Sequence, residues 1–187
     1  QEATAEVFER LERALKLGGR YKRMFRGDEG EGEYELGNAV LTKFEMLETN
    51  DFNYEREMTE EILRGADEDR YNLPRLMLGQ GLKVGSAGLW VFNTHHTITP
   101  NGEVTEHQLT ATRQLKDFLK KYDRYILCGD MNTPYGNENY KLLSQGLSDW
   151  SGPPTPTLHP TIHKVGFKGY HVDYVFAKGQ GMKHLAT

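Results

Sequence analysis

The chain has one cysteine, no long apolar run and no excess of basic charge, and each shortage excludes a class of protein. A single thiol, Cys128, cannot form an internal disulfide, so neither a disulfide-stabilised scaffold nor a cysteine-rich zinc site is available. The compartment stays undecided. No apolar stretch approaches the roughly 20 residues that a bilayer-spanning helix needs, so no membrane span is expected. With 37% hydrophobic and 27% charged residues in 187, the composition predicts a soluble, folded protein with a single domain over 1–187.

The formal net charge of −4 is unevenly distributed. The stretches 28–35 and 51–70 carry −5 each, so the rest of the chain carries +6. Such acidic runs are typical of a solvated surface. The sequence has no strongly basic stretch, which counts against tight binding of duplex nucleic acid. Nucleic acid is still a candidate substrate, because the chain outside the acidic stretches is positive. A monomer is the default expectation.

Hydrophobic patterns predict helices and strands that alternate around one layered core. Helical spacing predicts three helices, and short apolar runs predict six strands. In chain order the predicted elements are a helix at 3–17, strands at 21–25, 38–42, 76–78 and 89–93, a helix at 104–122, a strand at 125–128, a helix at 137–145 and a strand at 172–177.

Three polar clusters stand at the ends of predicted strands, where side chains held by a rigid sheet are well placed for catalysis. They are Asn93–His96, Gly129–Asn132 and the segment around Asp173. Taken singly, each has a structural explanation, because a strand-end Asp or Asn often closes a turn and a lone histidine is more often structural than catalytic.

Together with Gln1-Glu2, these clusters resemble the endonuclease/exonuclease/phosphatase superfamily, the group that contains deoxyribonuclease I. Five motifs carry the resemblance in the family's order and cover nearly the whole chain. They are Gln1-Glu2 for the metal-ligand motif, Gly37–Thr42 for the "GNAIL(S/T)" strand, Asn93-Thr94-His95 for "NTH", Gly129–Asn132 for "GDxN" and His171–Tyr174 for "(R)IDY", with Thr157 in the place of a threonine that commonly precedes that strand.

The resemblance implies a four-layer α/β sandwich, in which two facing mixed β-sheets are flanked by helices. It also implies Mg²⁺, with Mn²⁺ as the alternative, and Glu2 as its ligand, which suits a hard ion that prefers carboxylate oxygens and water. Asp130 is then expected to orient or deprotonate the attacking water, and Asn132 to donate to the phosphoryl group. His95 would hydrogen-bond a non-bridging oxygen, and Asp173 would orient a catalytic histidine.

The sequence departs from the family pattern at both ends. It begins at Gln1 without an initiator methionine, whereas family members open with a strand that ends in an asparagine. A closing Ser-Asp-His motif is also missing, since His184 is too near Asp173 and lacks the Ser-Asp context. We therefore expect that the protein continues upstream of Gln1 and that an apolar strand with Ser-Asp-His follows Thr187.

The function expected on this basis is a Mg²⁺-dependent hydrolase of phosphate esters. Among such enzymes, a phosphodiesterase or nuclease is favoured. Within the same family, a phosphomonoesterase or a lipid-headgroup phosphodiesterase is the alternative. From another class, an inactive relative could bind a partner through its acidic loops. Retention of both aspartates and of Glu2 and Asn132 argues against inactivity, whereas the substrate is left open because it is set by the variable loops 51–70 and 151–169.

Several other side chains have two interpretations. Histidines 95, 96 and 107 suggest zinc but lack the His-Glu-x-x-His spacing. Arg75 either reaches a phosphate or only solvates an edge strand. Trp90 is expected in the core, and Trp150 is either a lid or a packing anchor. His159 and His163 are expected at a solvent-exposed or substrate-facing rim.

Overall fold

The structure is a computed structural model that describes residues 2–28, 33–54, 75–158 and 169–185. The side chains of residues 2, 3, 25–28 and 33–35 lie outside that description. The strands in the described part are β1 (Glu2–Ala3), β2 (Gly18–Asp28), β3 (Glu33–Thr42), β4 (Glu45–Thr49), β5 (Phe52–Asn53), β6 (Leu76–Val84), β7 (Ala87–His95), β8 (Tyr125–Asp130), β9 (Ser148–Asp149) and β10 (Asp173–Lys178). Its α-helices are α1 (Ala5–Leu15), α2 (Glu106–Leu119) and α3 (Glu138–Ser144), and a short 3-10 helix covers Pro100–Gly102.

The strands form two sheets. In the small sheet, β3 lies between β1 and β2, and both pairs are antiparallel. The large sheet has the order β4-β6-β7-β8-β10-β9, and β5 also pairs with β6. Its pair β7 and β8 is parallel and the others are antiparallel, so this sheet is mixed. A helical connection, α2, joins the two parallel strands, as a parallel pair requires.

Helices cover the outer faces of both sheets. Helix α1 packs on β2 and β3 through Phe8, whereas α2 and α3 cover the large sheet. Strand β3 of the small sheet faces β6 and β7 of the large one. The layers therefore follow in the order helix, small sheet, large sheet, helices, and the predicted fold class with two sheets and flanking helices is confirmed.

The main core lies between the large sheet and the helices. Phe92, Leu127 and Phe176 come from three neighbouring strands and meet Leu115 and Leu119 of α2, all of them buried. Removing a side chain such as Phe92 would cost about 3–5 kcal/mol of stability. Because successive residues of a strand point to opposite faces, the alternate positions of these strands face the small sheet. Those alternate positions carry the polar residues described below.

Helix α1 begins and ends where its sequence specifies. Thr4 caps the start, since its Oγ1 accepts a hydrogen bond from the backbone N–H of Val7 at 3.2 Å. Lys16 adopts a left-handed conformation at the end, with φ of 52°. Of the apolar side chains on this helix, Phe8 is buried while Val7, Leu11 and Leu15 are 43–56% exposed.

The predicted helices and strands all occur, with shifted ends. The helix expected at 3–17 is Ala5–Leu15, and the strand expected at 21–25 extends over Gly18–Asp28. Strands β1, β4, β5 and β9 were not predicted from the sequence. Three of them have only two residues, and β4 is exposed throughout, so none carries an apolar run or a half-buried alternation.

One residue that was predicted on the surface is partly buried instead. Asp51, expected on a solvated acidic loop, has a side chain that is only 12% exposed. Its carboxylate accepts hydrogen bonds from Arg20 at 2.7 and 2.6 Å and from Lys22 at 2.8 Å. These partners lower the pKa of Asp51 against the opposing effect of burial. Asp51 thus joins β2 to the large sheet, and the remainder of that acidic stretch, 55–70, lies outside the described residues.

Candidate active site

Three of the predicted site residues lie side by side at one edge of the large sheet. His95 ends β7 and Asp130 ends β8, and the two are cross-strand neighbours in the parallel pair. Asp173 begins β10 directly opposite Asp130 in the antiparallel pair. Residues separated by 78 positions in the sequence therefore share one row, because the two parallel strands end where the antiparallel one begins.

Asp130 is held by a tight turn. Its Oδ1 accepts the backbone N–H of Asn132 at 2.7 Å, and its Oδ2 lies 3.8 Å from Nε2 of His95. The preceding Gly129 has φ of 129°, and a Cβ at that position would lie 1.9 Å from the carbonyl oxygen of Thr94. The backbone therefore requires glycine at 129, because any side chain there would prevent β8 from lying this close to β7.

Asn132 follows in the left-handed region, with φ of 46°. Its Nδ2 donates to the carbonyl of His96 at 2.8 Å, and its own carbonyl accepts from Gln108 at 2.9 Å. One amide hydrogen of Asn132 is thus used inside the protein. The second hydrogen is the one that a phosphoryl oxygen would take, and that role stays a prediction.

The start of β10 is positioned by a threonine. Oγ1 of Thr157 accepts the backbone N–H groups of Val172 and Asp173 at 3.0 and 3.2 Å. This is the threonine that the family resemblance singled out. Because its oxygen receives both N–H groups, Thr157 fixes the direction in which β10 leaves the preceding loop.

A cavity of about 250 Å³ opens next to Asp173. Its lining includes Asn93, Cys128, Ser151 and His171. Nδ1 of His171 lies 2.7 Å from the carbonyl oxygen of Thr155, and because a carbonyl only accepts, Nδ1 carries the hydrogen. In the neutral ring Nε2 is then an acceptor. His171 and Ser151 were not predicted as site residues, although His171 immediately precedes the predicted strand at 172–177.

Glu2 is placed by its backbone alone, because its side chain lies outside the described part. Strand β1 sets Glu2 directly opposite Asn38 of β3. Asn38 is fully buried, and its Nδ2 donates to the carbonyl of Leu76 at 2.7 Å. Its Oδ1 has no hydrogen-bond partner among the described atoms. The structure therefore brings together the four predicted catalytic residues and leaves the ligand Glu2 undecided.

The side chains near the strand ends suit a hard divalent ion better than zinc. The oxygen donors there are the carboxylates of Asp130 and Asp173. Among the residues that the structure describes, no three His, Cys, Asp or Glu side chains form a group that could hold a metal. Carboxylate oxygens are the donors that Mg²⁺ prefers, and Glu2 as a ligand stays a prediction.

His96 is structural rather than a ligand. It is fully buried, and burial together with the nearby Arg75 charge lowers its pKa to about 3. The hydroxyl of Thr112 donates to Asn139 at 2.7 Å, so Nε2 of His96 must donate to Thr112 at 3.2 Å. His96 is thus a neutral donor that anchors the end of β7 to α2.

Arg75 is buried as well, at 5% exposure, so the interpretation of a solvating edge-strand arginine is wrong. It immediately precedes β6, and its charge acts on Tyr54 and His96. The hydroxyl of Tyr54 is hydrogen-bonded to Thr94 at 2.9 Å, next to His95. Burial raises the pKa of Tyr54, so this phenol stays neutral. The guanidinium of Arg75 therefore lies near the start of β6 and the end of β7.

The two tryptophans pack. Trp90 stacks on Phe92 with ring centroids 5.6 Å apart, which confirms its place against the core. Trp150 stacks on His184 at 5.7 Å and is half-buried, as a packing anchor would be. His159 and His163 lie outside the described residues. None of the helices in the described ranges has the length and apolar character that crossing a bilayer requires.

Comparison with known proteins identifies the class. The model of the "Endonuclease/Exonuclease/phosphatase family" matches residues 1–187, so the chain belongs to this family of phosphoric ester hydrolases. No curated protein sequence matches it. Solved structures share the fold at low identity, so the fold and the family rest on different comparisons.

Three of those structures illustrate the range. An endonuclease/exonuclease/phosphatase from Bacteroides vulgatus is 17% identical with a TM-score of 0.69, over 96% of this chain and 72% of that one. A mannosyl-6-phosphatase from Bacteroides thetaiotaomicron is 19% identical with a TM-score of 0.60, over 96% and 70%. The 2′,3′-cyclic phosphatase ANGEL2 is 18% identical with a TM-score of 0.55, over 93% and 66%.

Proposed function

We propose that this protein is a Mg²⁺-dependent hydrolase of phosphate esters that acts on phosphodiesters. The observation that carries the proposal is the row of His95, Asp130 and Asp173 along three adjacent strand ends. Paired carboxylates beside an imidazole supply what phosphate-ester hydrolysis needs, namely a group that orients water and donors for the phosphoryl oxygens. The charge of +6 outside the two acidic stretches favours nucleic acid, whose backbone is a polymer of phosphodiesters.

Each residue has a separate task. Asp130 takes the proton of the attacking water or orients that water, and the turn to Asn132 holds its carboxylate in place through Oδ1. His95 hydrogen-bonds a non-bridging oxygen, and Asn132 donates its second amide hydrogen to the phosphoryl group. Asp173 fixes the tautomer of a histidine supplied from outside the described residues. The charge of Arg75 lowers the energy of an anion held at the strand ends.

Glu2 would hold the metal, with Mn²⁺ as the alternative ion. A bound divalent ion neutralises charge that develops on the phosphoryl oxygens. The protein's own contribution is the position of the strand ends and the exclusion of water around them. Those features are independent of which ester is cleaved.

A phosphomonoesterase is the second candidate. It is favoured by the shared fold with the mannosyl-6-phosphatase, whereas the cyclic phosphatase points to a diester. A lipid-headgroup phosphodiesterase uses the same site. An inactive partner-binding relative is the candidate from another class, and the presence of Glu2, Asp130, Asn132 and Asp173 speaks against it.

The test is a substrate panel on the full-length protein, each member with Mg²⁺ and with EDTA. The panel holds nitrophenyl phosphate, bis-nitrophenyl phosphate, nicked and abasic DNA, RNA and sphingomyelin. The expected result is hydrolysis of a diester in the presence of Mg²⁺ and no hydrolysis in EDTA. Cleavage of the monoester only would favour the phosphomonoesterase, and no hydrolysis of any member would favour the partner-binding candidate.

A further inference from the structure

Two buried asparagines connect the sheets in opposite directions. Asn38 on the small sheet donates through Nδ2 to the carbonyl of Leu76 on the large sheet, at 2.7 Å. Asn93 on the large sheet donates through Nδ2 to the carbonyl of Ala39 on the small sheet, at 2.9 Å. Each sheet therefore supplies one donor and one acceptor, and the two bonds meet neighbouring residues of β3.

Both asparagines lie within two strand positions of residues in the proposed site. Asn38 is the direct cross-strand partner of Glu2. Asn93 precedes His95 by two residues, a distance of about 7 Å along a strand. It is also level with Cys128, which precedes Asp130 by two residues. The pair thus ties the strand partner of Glu2 to both strands that end in catalytic side chains.

Stability alone does not account for these two residues. Both side chains are at most 1% exposed, and each leaves its Oδ1 without a hydrogen-bond partner in the described part of the molecule. A buried acceptor without a partner costs about 1–3 kcal/mol, whereas an apolar residue of similar shape avoids that cost. Directional bonds offer something that apolar packing lacks, since they fix how far one sheet lies along the other.

We infer that Asn38 and Asn93 are positioning residues that hold the Glu2 strand in register with the ends of β7 and β8. The inference rests on the proposed function, because it concerns the distance between the metal ligand and the catalytic groups. Loss of either bond lets β3 shift against β6 and β7, so Glu2 is displaced from the side chains at the strand ends, and an ion bound between them would be held less tightly. Metal affinity and turnover then fall together while the fold persists.

The test compares Asn38→Ala and Asn93→Ala with Gln80→Ala in the full-length protein. Gln80 is an equally buried amide that donates to backbone carbonyls, but it lies in the middle of β6, away from Leu76, where that strand begins. Mg²⁺ affinity by titration calorimetry, thermal unfolding and steady-state kinetics are measured for each. Each asparagine variant should weaken Mg²⁺ binding about 10-fold, the usual effect of losing a partner that orients a ligand. Gln80→Ala should lose stability with unchanged Mg²⁺ affinity.

A double variant strengthens the test. Because both bonds fix one register, Asn38→Ala with Asn93→Ala should weaken Mg²⁺ binding less than the product of the single effects. Serine, which is too short to reach the facing sheet, replaces alanine wherever an alanine variant does not fold. Folded asparagine variants that bind Mg²⁺ like wild type would overturn the inference while the proposed function stands. A wild-type protein that neither binds Mg²⁺ nor hydrolyses the panel would overturn both.

Discussion

Asp130 and Asp173 lie directly opposite each other in the antiparallel pair of β8 and β10. Side chains at such positions have Cβ atoms about 4.5–5.5 Å apart, and like charges there destabilise a sheet. A protein selected for stability alone would replace one of them. We therefore attribute the presence of both carboxylates to the proposed reaction.

Neutralising one carboxylate should therefore separate stability from activity. Asp173→Asn is expected to raise the free energy of unfolding by about 0.2–1 kcal/mol, because the like-charge contact is lost. Turnover should fall, since an amide no longer orients an imidazole as a carboxylate does. Denaturant unfolding and turnover on bis-nitrophenyl phosphate test both effects. A variant that is less stable and fully active would contradict this explanation.

The metal ligand and the water-orienting carboxylate should give different kinetic signatures. Glu2→Gln is expected to raise the Mg²⁺ concentration needed for half-maximal rate, because a ligand is weakened. Asp130→Asn should remove most turnover even at saturating Mg²⁺. Rate against Mg²⁺ concentration distinguishes the two variants. An unchanged metal curve for Glu2→Gln would remove Glu2 from the site.

Thr157 should act on the site through the backbone of β10. Thr157→Val keeps the shape but loses the oxygen that accepts the N–H groups of Val172 and Asp173, so activity should fall with a cost of about 0.5–1.5 kcal/mol in stability. Thr157→Ser keeps that oxygen and serves as the matched control. We expect Thr157→Ser to be nearly as active as wild type and Thr157→Val to be less active. Equal loss of activity in both variants would mean that Thr157 acts through packing instead.

His96 should make the protein sensitive to acid. Its pKa is lowered from 6.5 to about 3 in the fold, so below pH 6.5 the unfolded state binds a proton that the native state does not. The stability from neutral His96 is complete above pH 6.5 and is lost towards pH 3, at ~1.4 kcal/mol per pH unit. Unfolding between pH 6 and pH 4 tests this against His96→Gln, which should show a shallower slope. Identical slopes would mean that His96 is protonated in the native state.

The sequence predicted the order of the main elements and the polar residues at their ends, because local patterns specify both. Apolar runs ending in Asn-Thr-His and Gly-Asp-Met-Asn mark β7 and β8, and the fold then brings their ends together. The charge pattern misled for Asp51 and Arg75, since burial of a charged group depends on partners far away in the chain. Arg20 and Lys22 precede Asp51 by about thirty residues, so no local pattern reveals that contact.

The asparagine pair and the cavity residues were also beyond sequence reasoning. Asn38 and Asn93 each occupy a strand with apolar neighbours, and only the facing of two sheets shows what they bind. The strand with Ser-Asp-His expected after Thr187 stays a prediction.

The most direct test of the central claim is the rate of bis-nitrophenyl phosphate hydrolysis by full-length wild type and Asp130→Asn, with Mg²⁺ and with EDTA. The account predicts turnover by wild type with Mg²⁺, loss of that turnover in EDTA and its recovery when Mg²⁺ is restored. Asp130→Asn should stay at least about 100-fold slower at every Mg²⁺ concentration, as expected for removal of a general base. Equal rates in EDTA, or an Asp130→Asn enzyme as active as wild type, would contradict a metal-dependent hydrolase built on this carboxylate.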